Sequence, residues 1–410
     1  MTAPHPAPSA APVTPVTPVT PPAPAPRRWL AALGLLASLA LGACAPPAPE
    51  ADPRNAAAAP AARPQLRFLG EFRLPAIKVD GMPVGGLSGI DYDAARDRWL
   101  LISDDRSQRA PARFFTARID WNEALGLDVQ VDSATVLRRP DGQPFSRGAI
   151  DPESLRLMPD GSGVIVASEG LRLRTPRRAF IQPFLREFAL DGRHRREFIL
   201  PPNFEARPDR GPRSNSVFEG TAITPDGRWL WAALESPLLD DDEVPDAERG
   251  AWLRFTRFDL KTGQPASQSV YPLSRLPARP WFGIGGGEMF PDVGVSEIAA
   301  LDDERLLVLE RSFVFGHGFV SRLFVADLAG STDTLAIDSL AGASFVPATK
   351  RLLIDLSSLP VARENLEGLA IGPRLRHADG SPGGRLVVLV ADDNFLPLLL
   401  NQFLAFELLD

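Results

Sequence analysis

Asp151-Pro152-Glu153-Ser154-Leu155-Arg156-Leu157-Met158-Pro159-Asp160-Gly161, running on as Ser162-Gly163-Val164-Ile165-Val166-Ala167-Ser168-Glu169, reads as a tight hairpin with an acid at each end. Leu155 and Leu157 alternate from Glu153, Pro-Asp-Gly supplies the turn, and 164–167 form a short apolar strand. Sixteen residues separate Glu153 from Glu169. The same spacing separates Glu219 from Glu235 across Thr224-Pro225-Asp226-Gly227, and Ser88 from Asp104 across Tyr92-Asp93-Ala94-Ala95. Two further copies differ in length. Glu297 reaches Glu310 by a shorter path through Leu301-Asp302-Asp303-Glu304, and Glu367 reaches Asp392 by a longer one through Arg376-His377-Ala378-Asp379-Gly380.

The copies begin at Ser88, Glu153, Glu219, Glu297 and Glu367, with successive separations of 65, 66, 78 and 70 residues. Such a period demands a repeat architecture. After each hairpin a further strand pair opens with an apolar segment, at 114–120, 185–192, 253–260, 322–328 and 403–409. Four antiparallel strands per repeat make one propeller blade. We therefore expect an all-β chain folded as a single closed β-propeller of five blades, or six if the 78-residue interval holds extra strands. The strand at 66–74 has no hairpin partner nearby, and the last repeat shows three strands. Placing 66–74 beside 403–409 completes the last blade and removes an exposed edge.

Composition sets the outer bounds. Of 410 residues 44% are hydrophobic, enough for a sizeable core, and 42 prolines with 33 glycines suit many turns better than long helices. The net charge is −7, and no Lys/Arg run is interleaved with aromatics, which excludes a nucleic-acid partner. Arg172, Arg174, Arg177 and Arg178 read as a solvated loop. The first 26 residues are a low-complexity Pro/Ala/Val/Thr tract. Arg27-Arg28, an apolar run to Ala43 and Leu41-Gly42-Ala43-Cys44 then resemble a bacterial lipoprotein signal peptide. Cys44 is the sole cysteine, so disulfides are excluded and the thiol stands where lipidation requires it. The expected organisation is an extension and signal at 1–43, an Ala/Pro-rich tether at 44–65 and the folded domain at 66–410. The mature chain, at about −9, is then a monomer exported and lipid-anchored to a membrane of the cell envelope, on its outer-membrane or periplasmic side.

In a propeller the first strand of each blade lines the axis and the second runs back beside it. The acids at the start of strand one and the end of strand two must then share one rim, opposite the Pro-Asp-Gly turns. Glu153, Glu169, Glu219, Glu235, Glu297, Glu310, Glu367, Asp392 and Asp104 are expected there. Small residues after the first acid (Gly89, Ser154, Gly220, Gly368) suit a crowded axis. Carboxylates crowded together raise one another's pKa, and a divalent cation relieves the conflict. Calcium suits an oxygen-only ligand set, here Asp104, Glu153, Glu169, Glu235, Glu310, Glu367 and Asp392. Arg106 and Arg311, each beside a ring acid, are candidates for gripping an anionic substrate or for pairing with the ring.

Gly86-Leu87-Ser88-Gly89-Ile90-Asp91 with Ile102-Ser103-Asp104-Asp105-Arg106 resembles the opening of the phytase-like domain, the family labelled for esterase-like activity of phytase. Asp151-Pro152-Glu153-Ser154, Asn215 with Phe218-Glu219-Gly220, Val295-Ser296-Glu297-Ile298 with Leu309-Glu310-Arg311, Asn365-Leu366-Glu367-Gly368 and Asp392-Asp393-Asn394-Phe395 follow in the family's order. The resemblance implies a propeller and hydrolysis of phosphate or carboxylic esters.

Two function classes follow. One is a metal-dependent hydrolase of small phosphoesters or carboxylic esters, in which ring acids hold the cation and Glu219, Glu297 or His317 serves as acid or base. The other is a non-catalytic module that binds a ligand or an envelope protein. His317, in Phe315-Gly316-His317-Gly318, is the one histidine near a ring acid. A serine triad lacks its elbow, since Gly86-x-Ser88-x is followed by Ile90. Gly283-Ile284-Gly285-Gly286-Gly287 lacks the Lys of a phosphate loop and reads as a lid beside the mouth.

Overall fold

The computed structural model describes residues 64–172, 180–280 and 292–409. The signal, Cys44, the tether, the Gly283–287 lid and Arg174, Arg177 and Arg178 lie outside the described residues.

Five four-stranded antiparallel sheets form five blades. Blade one comprises Leu87–Asp93, Arg98–Ser103, Arg113–Asn122 and Gly126–Val136, and blade two Pro152–Leu157, Gly163–Ser168, Phe184–Ala189 and His194–Glu197. Blade three runs through Phe218–Ile223, Trp229–Leu234, Ala251–Asp259 and Pro265–Leu273, and blade four through Asp292–Ala300, Arg305–Val314, Gly318–Asp327 and Thr349–Asp355. Blade five takes Asn365–Arg376, Pro382–Asp392 and Asn401–Leu409 from the end of the domain and Gln65–Leu74 from its start. Phe68 lies opposite Phe406 and Phe72 opposite Phe403, so the first strand closes the ring. Among the described residues, the 78-residue interval holds no strands beyond those of blade three before blade four begins.

The middle of each blade's second strand is an unbroken apolar run because both its faces are buried. Trp99 and Leu101 pack toward blade five, while Leu100 and Ile102 pack toward blade two. Leu306 and Val308 face blade three, and Leu307 and Leu309 face blade five. The strand period of two thus builds one core at each blade interface.

Each first strand carries one extra residue against its partner, at Ser88, Glu153, Glu219, Ser296 and Glu367. Such a bulge re-aims a side chain. Here it corrects the register expected for blade four. The residue equivalent to Glu153 is Ser296, not Glu297, and the residue equivalent to Glu169 is Arg311, not Glu310. Ser296 behaves as Ser88 does. The Ser88 hydroxyl donates to the Pro152 carbonyl and that of Ser296 to the Leu366 carbonyl, in each case just before the next blade's bulge. The residue after the bulge abuts the neighbouring blade's backbone. A Cβ on Gly89 would lie 3.0 Å from the Glu153 carbonyl oxygen, and one on Gly220 would lie 2.9 Å from the Ile298 nitrogen.

Candidate functional site

At the bulged rim a cavity of about 310 Å³ is lined by Asp104, Arg106, Glu153, Glu219, Glu235, Arg311, Glu367 and Asp392, with Asn215, Asn365, Asn394 and Phe319 between them. The Pro-Asp-Gly turns gather elsewhere. Pro159 would lie 3.1 Å from a Cβ on Gly227, and Arg96 of blade one donates to the Gly161 carbonyl. Glu169 stands behind the lining, within a group of carboxylates whose oxygens lie within 4.8 Å of one another. Glu169 belongs to two such groups, one with Asp151 and Glu153 and one with Glu219 and Glu235.

Glu297, Glu310 and His317 do not line this cavity. With the bulge at Ser296, Glu297 takes the position held by glycine or serine elsewhere and turns into the axis. There it accepts bonds from Arg156 at 2.9 Å, the Thr221 amide at 2.9 Å and the Ser154 hydroxyl. Glu310 lies between blades three and four, where the Tyr271 hydroxyl (2.8 Å) and the Lys350 ammonium (2.5 Å) take its carboxylate. His317 meets the Arg279 carbonyl in an exposed loop. Asp105 secures a turn by accepting from the Gln108, Arg109 and Ala110 amides and from buried Arg113.

The electrostatics of the mouth follow from burial and crowding. Burial, then Glu219, Asp151 and Glu169, push Glu153 well above the usual carboxylate range. Burial followed by Glu367 and Asp151 raises Asp104 to about 8 against the pull of Arg106. Glu219 is raised by burial, Glu235, Glu169 and Glu367 while Arg311 pulls it down, and Asp392 is raised by burial, Glu367 and Asp104. Two arginines answer these acids. Arg106 binds Asp151 at 2.6 Å and also meets Asn215, and Arg311 binds Glu235 at 2.9 Å with Glu367 at 3.6 Å.

The donor set fits a hard divalent cation. It is all oxygen, and Glu169 Oε2 and Asn365 Oδ1 are buried without a hydrogen-bond partner among the described residues. Orphaned buried oxygens are costly unless something unseen satisfies them. Asp151 and Asn365 went unrecognised as site residues in the sequence. Each stands two positions before a bulged glutamate, a repeat-equivalent place that aligning the copies reveals.

One layer below the bulges the axis is plugged. Arg156 donates to the carbonyls of Ile90, Leu155, Thr221, Ile298 and Leu369, one from each of the five blades, at 2.5–3.2 Å. Each carbonyl belongs to the second residue after its blade's bulge, so the mouth is a cup with an arginine floor.

A model of the phytase-like family, described as esterase-like activity of phytase, matches residues 82–395. The chain belongs to this family. Every residue lining the mouth falls inside the phytase-like match, and Cys44 falls outside it. No curated protein matches the chain. Among solved structures, Kuenenia stuttgartiensis hydrazine synthase is similar at 16% identity over 79% of this chain and 80% of that one, with a TM-score of 0.33. The periplasmic gluconolactonase of Pseudomonas aeruginosa is similar at 13% identity (78% and 88% covered, TM-score 0.31), and the alpha-L-arabinofuranosidase of Lactobacillus brevis at 10% (79% and 91%, TM-score 0.37). No activity is carried over from these likenesses.

Proposed function

We propose that this phytase-like propeller is a divalent-metal-dependent hydrolase of phosphoesters or carboxylic esters, with calcium as the cation. The observation that carries the reading is the buried acid cup with an orphaned Glu169 oxygen and two arginines. Asp151, Glu153, Glu169 and Glu235 would hold the cation, which when bound supplies Lewis acidity and a more acidic water. Glu219 faces the cup and takes a proton from the attacking water. The water oxygen bonds to phosphorus or acyl carbon, the ester P–O or C–O bond breaks, and the departing alkoxide takes up the proton that Glu219 accepted from the water. Arg106 and Arg311, which also line the cup, orient the ester's anionic oxygens.

A panel of phosphate and carboxylic esters assayed with and without chelator tests this. Turnover should vanish on chelation and return with calcium, and Glu219→Gln should lower kcat by about 100-fold or more. Turnover indifferent to chelation, or none on any ester, overturns the reading and leaves a binding module.

The cellular setting belongs to the same proposal: export, lipidation at Cys44 and a monomer tethered to the envelope by residues 45–64. Cys44→Ser should shift the protein from the membrane to the soluble fraction. Retention in the membrane fraction rejects the anchor.

A further inference from the structure

Beside the acid cup lies a groove of about 690 Å³ between the connection before blade one and the segment joining the second and third strands of blade five. Its walls are mostly apolar, with Leu74, Ile77, Val84, Leu396, Leu399 and Leu400 along it and Lys78, Arg109, Asp393 and Asn401 as the polar part of the lining, and Leu396 is 53% exposed. Resting on the hydrolase reading above, we infer that this groove binds the apolar chain or ring of the ester whose reacting group enters the cup.

The adjacency of the two cavities carries the inference. They share a single wall, the segment 392–395. Asp392 and Asn394 line the cup, while Asp393 and Phe395 line the groove. A ligand crossing that wall passes from carboxylates to aliphatic carbon within a few residues. The wall is held rigidly. Asp393 accepts from the Gly86 amide at 2.8 Å, the Phe395 amide at 3.0 Å and the Asn401 side chain at 2.9 Å. Arg109 stacks over the Phe395 ring at 4.2 Å. Gly86 accommodates this packing, since a Cβ there would lie 2.5 Å from Phe395 and 2.0 Å from the Asp104 carboxylate. Asn394 and Phe395 both adopt left-handed backbone, at φ 46° and 50°. Two adjacent non-glycine residues in that region cost energy, and such strain gathers at ligand sites.

The chemistry of the pair selects a substrate class. A densely phosphorylated polyol has no apolar part and would leave the groove empty. An ester with one polar reacting group and one apolar substituent fills both cavities, the apolar part gaining with each methylene that leaves water.

The test uses the full chain with calcium present and compares acetate, butyrate and octanoate esters of one alcohol, together with ethyl and octyl phosphate esters. KM should fall about fourfold per added methylene until the groove is full, with kcat changing little. Leu396→Asp and Leu399→Asp, both outside the core, should flatten that dependence, and Leu125→Asp, at an exposed hairpin 86% accessible, should not. KM independent of chain length, or a dependence untouched by both groove substitutions, overturns the inference. Calorimetry with octanoate against acetate gives a readout separate from turnover. Octanoate binding lost in Leu396→Asp with no ester turned over rejects the hydrolase reading while keeping the groove as an apolar-ligand site. Octanoate bound no tighter than acetate rejects the groove.

Discussion

Arg156→Leu should lower the melting temperature by ~6–10 °C. The side chain is 5% exposed, and its guanidinium satisfies one carbonyl from every blade together with the Glu297 carboxylate. Leucine removes all six bonds and leaves a buried acid without its cation. Breaking a buried pair from one side costs about 3–5 kcal/mol, and in a domain of this size each kcal/mol moves the melting point by about 2 °C. Above about pH 8, where Arg156 would otherwise balance the Glu297 charge, Glu297→Gln added to the variant should recover part of the loss, because the formal charge goes while the orphaned carbonyls remain. The pH dependence has a definite sign. Burial raises Glu297 to about 8 from 4.5 despite Arg156 and the Ile298 and Thr221 amides. Its contribution to stability is therefore whole below about pH 4.5 and declines as pH rises to about 8. Without Arg156 the decline continues further, so the gap between variant and parent should widen above about pH 8. Thermal melts across pH check this. A variant that melts with the parent would mean that the axis is not plugged by this arginine.

The blade count and the closing strand were legible because both rest on local patterns. A two-residue strand period, turn residues at regular intervals and an unpaired strand at the start of the domain suffice for them. Blade four escaped by one residue. Ser296 and Glu297 are adjacent, as are Glu310 and Arg311, and spacing cannot say where a bulge inserts its extra residue. Reading the acid of each pair as the repeat mate placed two carboxylates at the rim. The register places a serine and an arginine there, so blade four brings a cation into the ring and sends Glu297 to the floor.

Arg156 shows a different limit. Flanked by Leu155 and Leu157, it looks like a polar residue on a half-exposed strand, and the five carbonyls that bind it exist as a ring only once the blades close. The groove beside the cup is likewise made by loops far apart in sequence, residues 74–84 and 393–401. No periodicity marks either.

Calcium added to chelated protein should raise its melting temperature by about 5 °C once the ion stands a hundredfold above its dissociation constant, since binding to the native state alone then contributes about 2.7 kcal/mol. The shift should grow from about pH 6 to pH 8, because binding displaces protons from the carboxyls. Glu169→Gln separates a metal cup from a network of ion pairs. Glu169 is 1% exposed and belongs to both oxygen clusters, Arg106 acts on it only through space, and its bond from the Val217 amide can be kept by the glutamine carbonyl. Burial, then Glu235 and Asp151, hold the Glu169 carboxyl well above its usual range, so in chelated protein the substitution should raise the melting point most at the alkaline end, where that carboxyl would otherwise have to ionise. With calcium it removes a ligand and should shrink the shift. The two effects have opposite signs, which a merely structural carboxylate does not produce. If Glu169→Gln melts lower than the parent in chelator, the acids stabilise the rim through their own hydrogen bonds and the cation has no place in the cup.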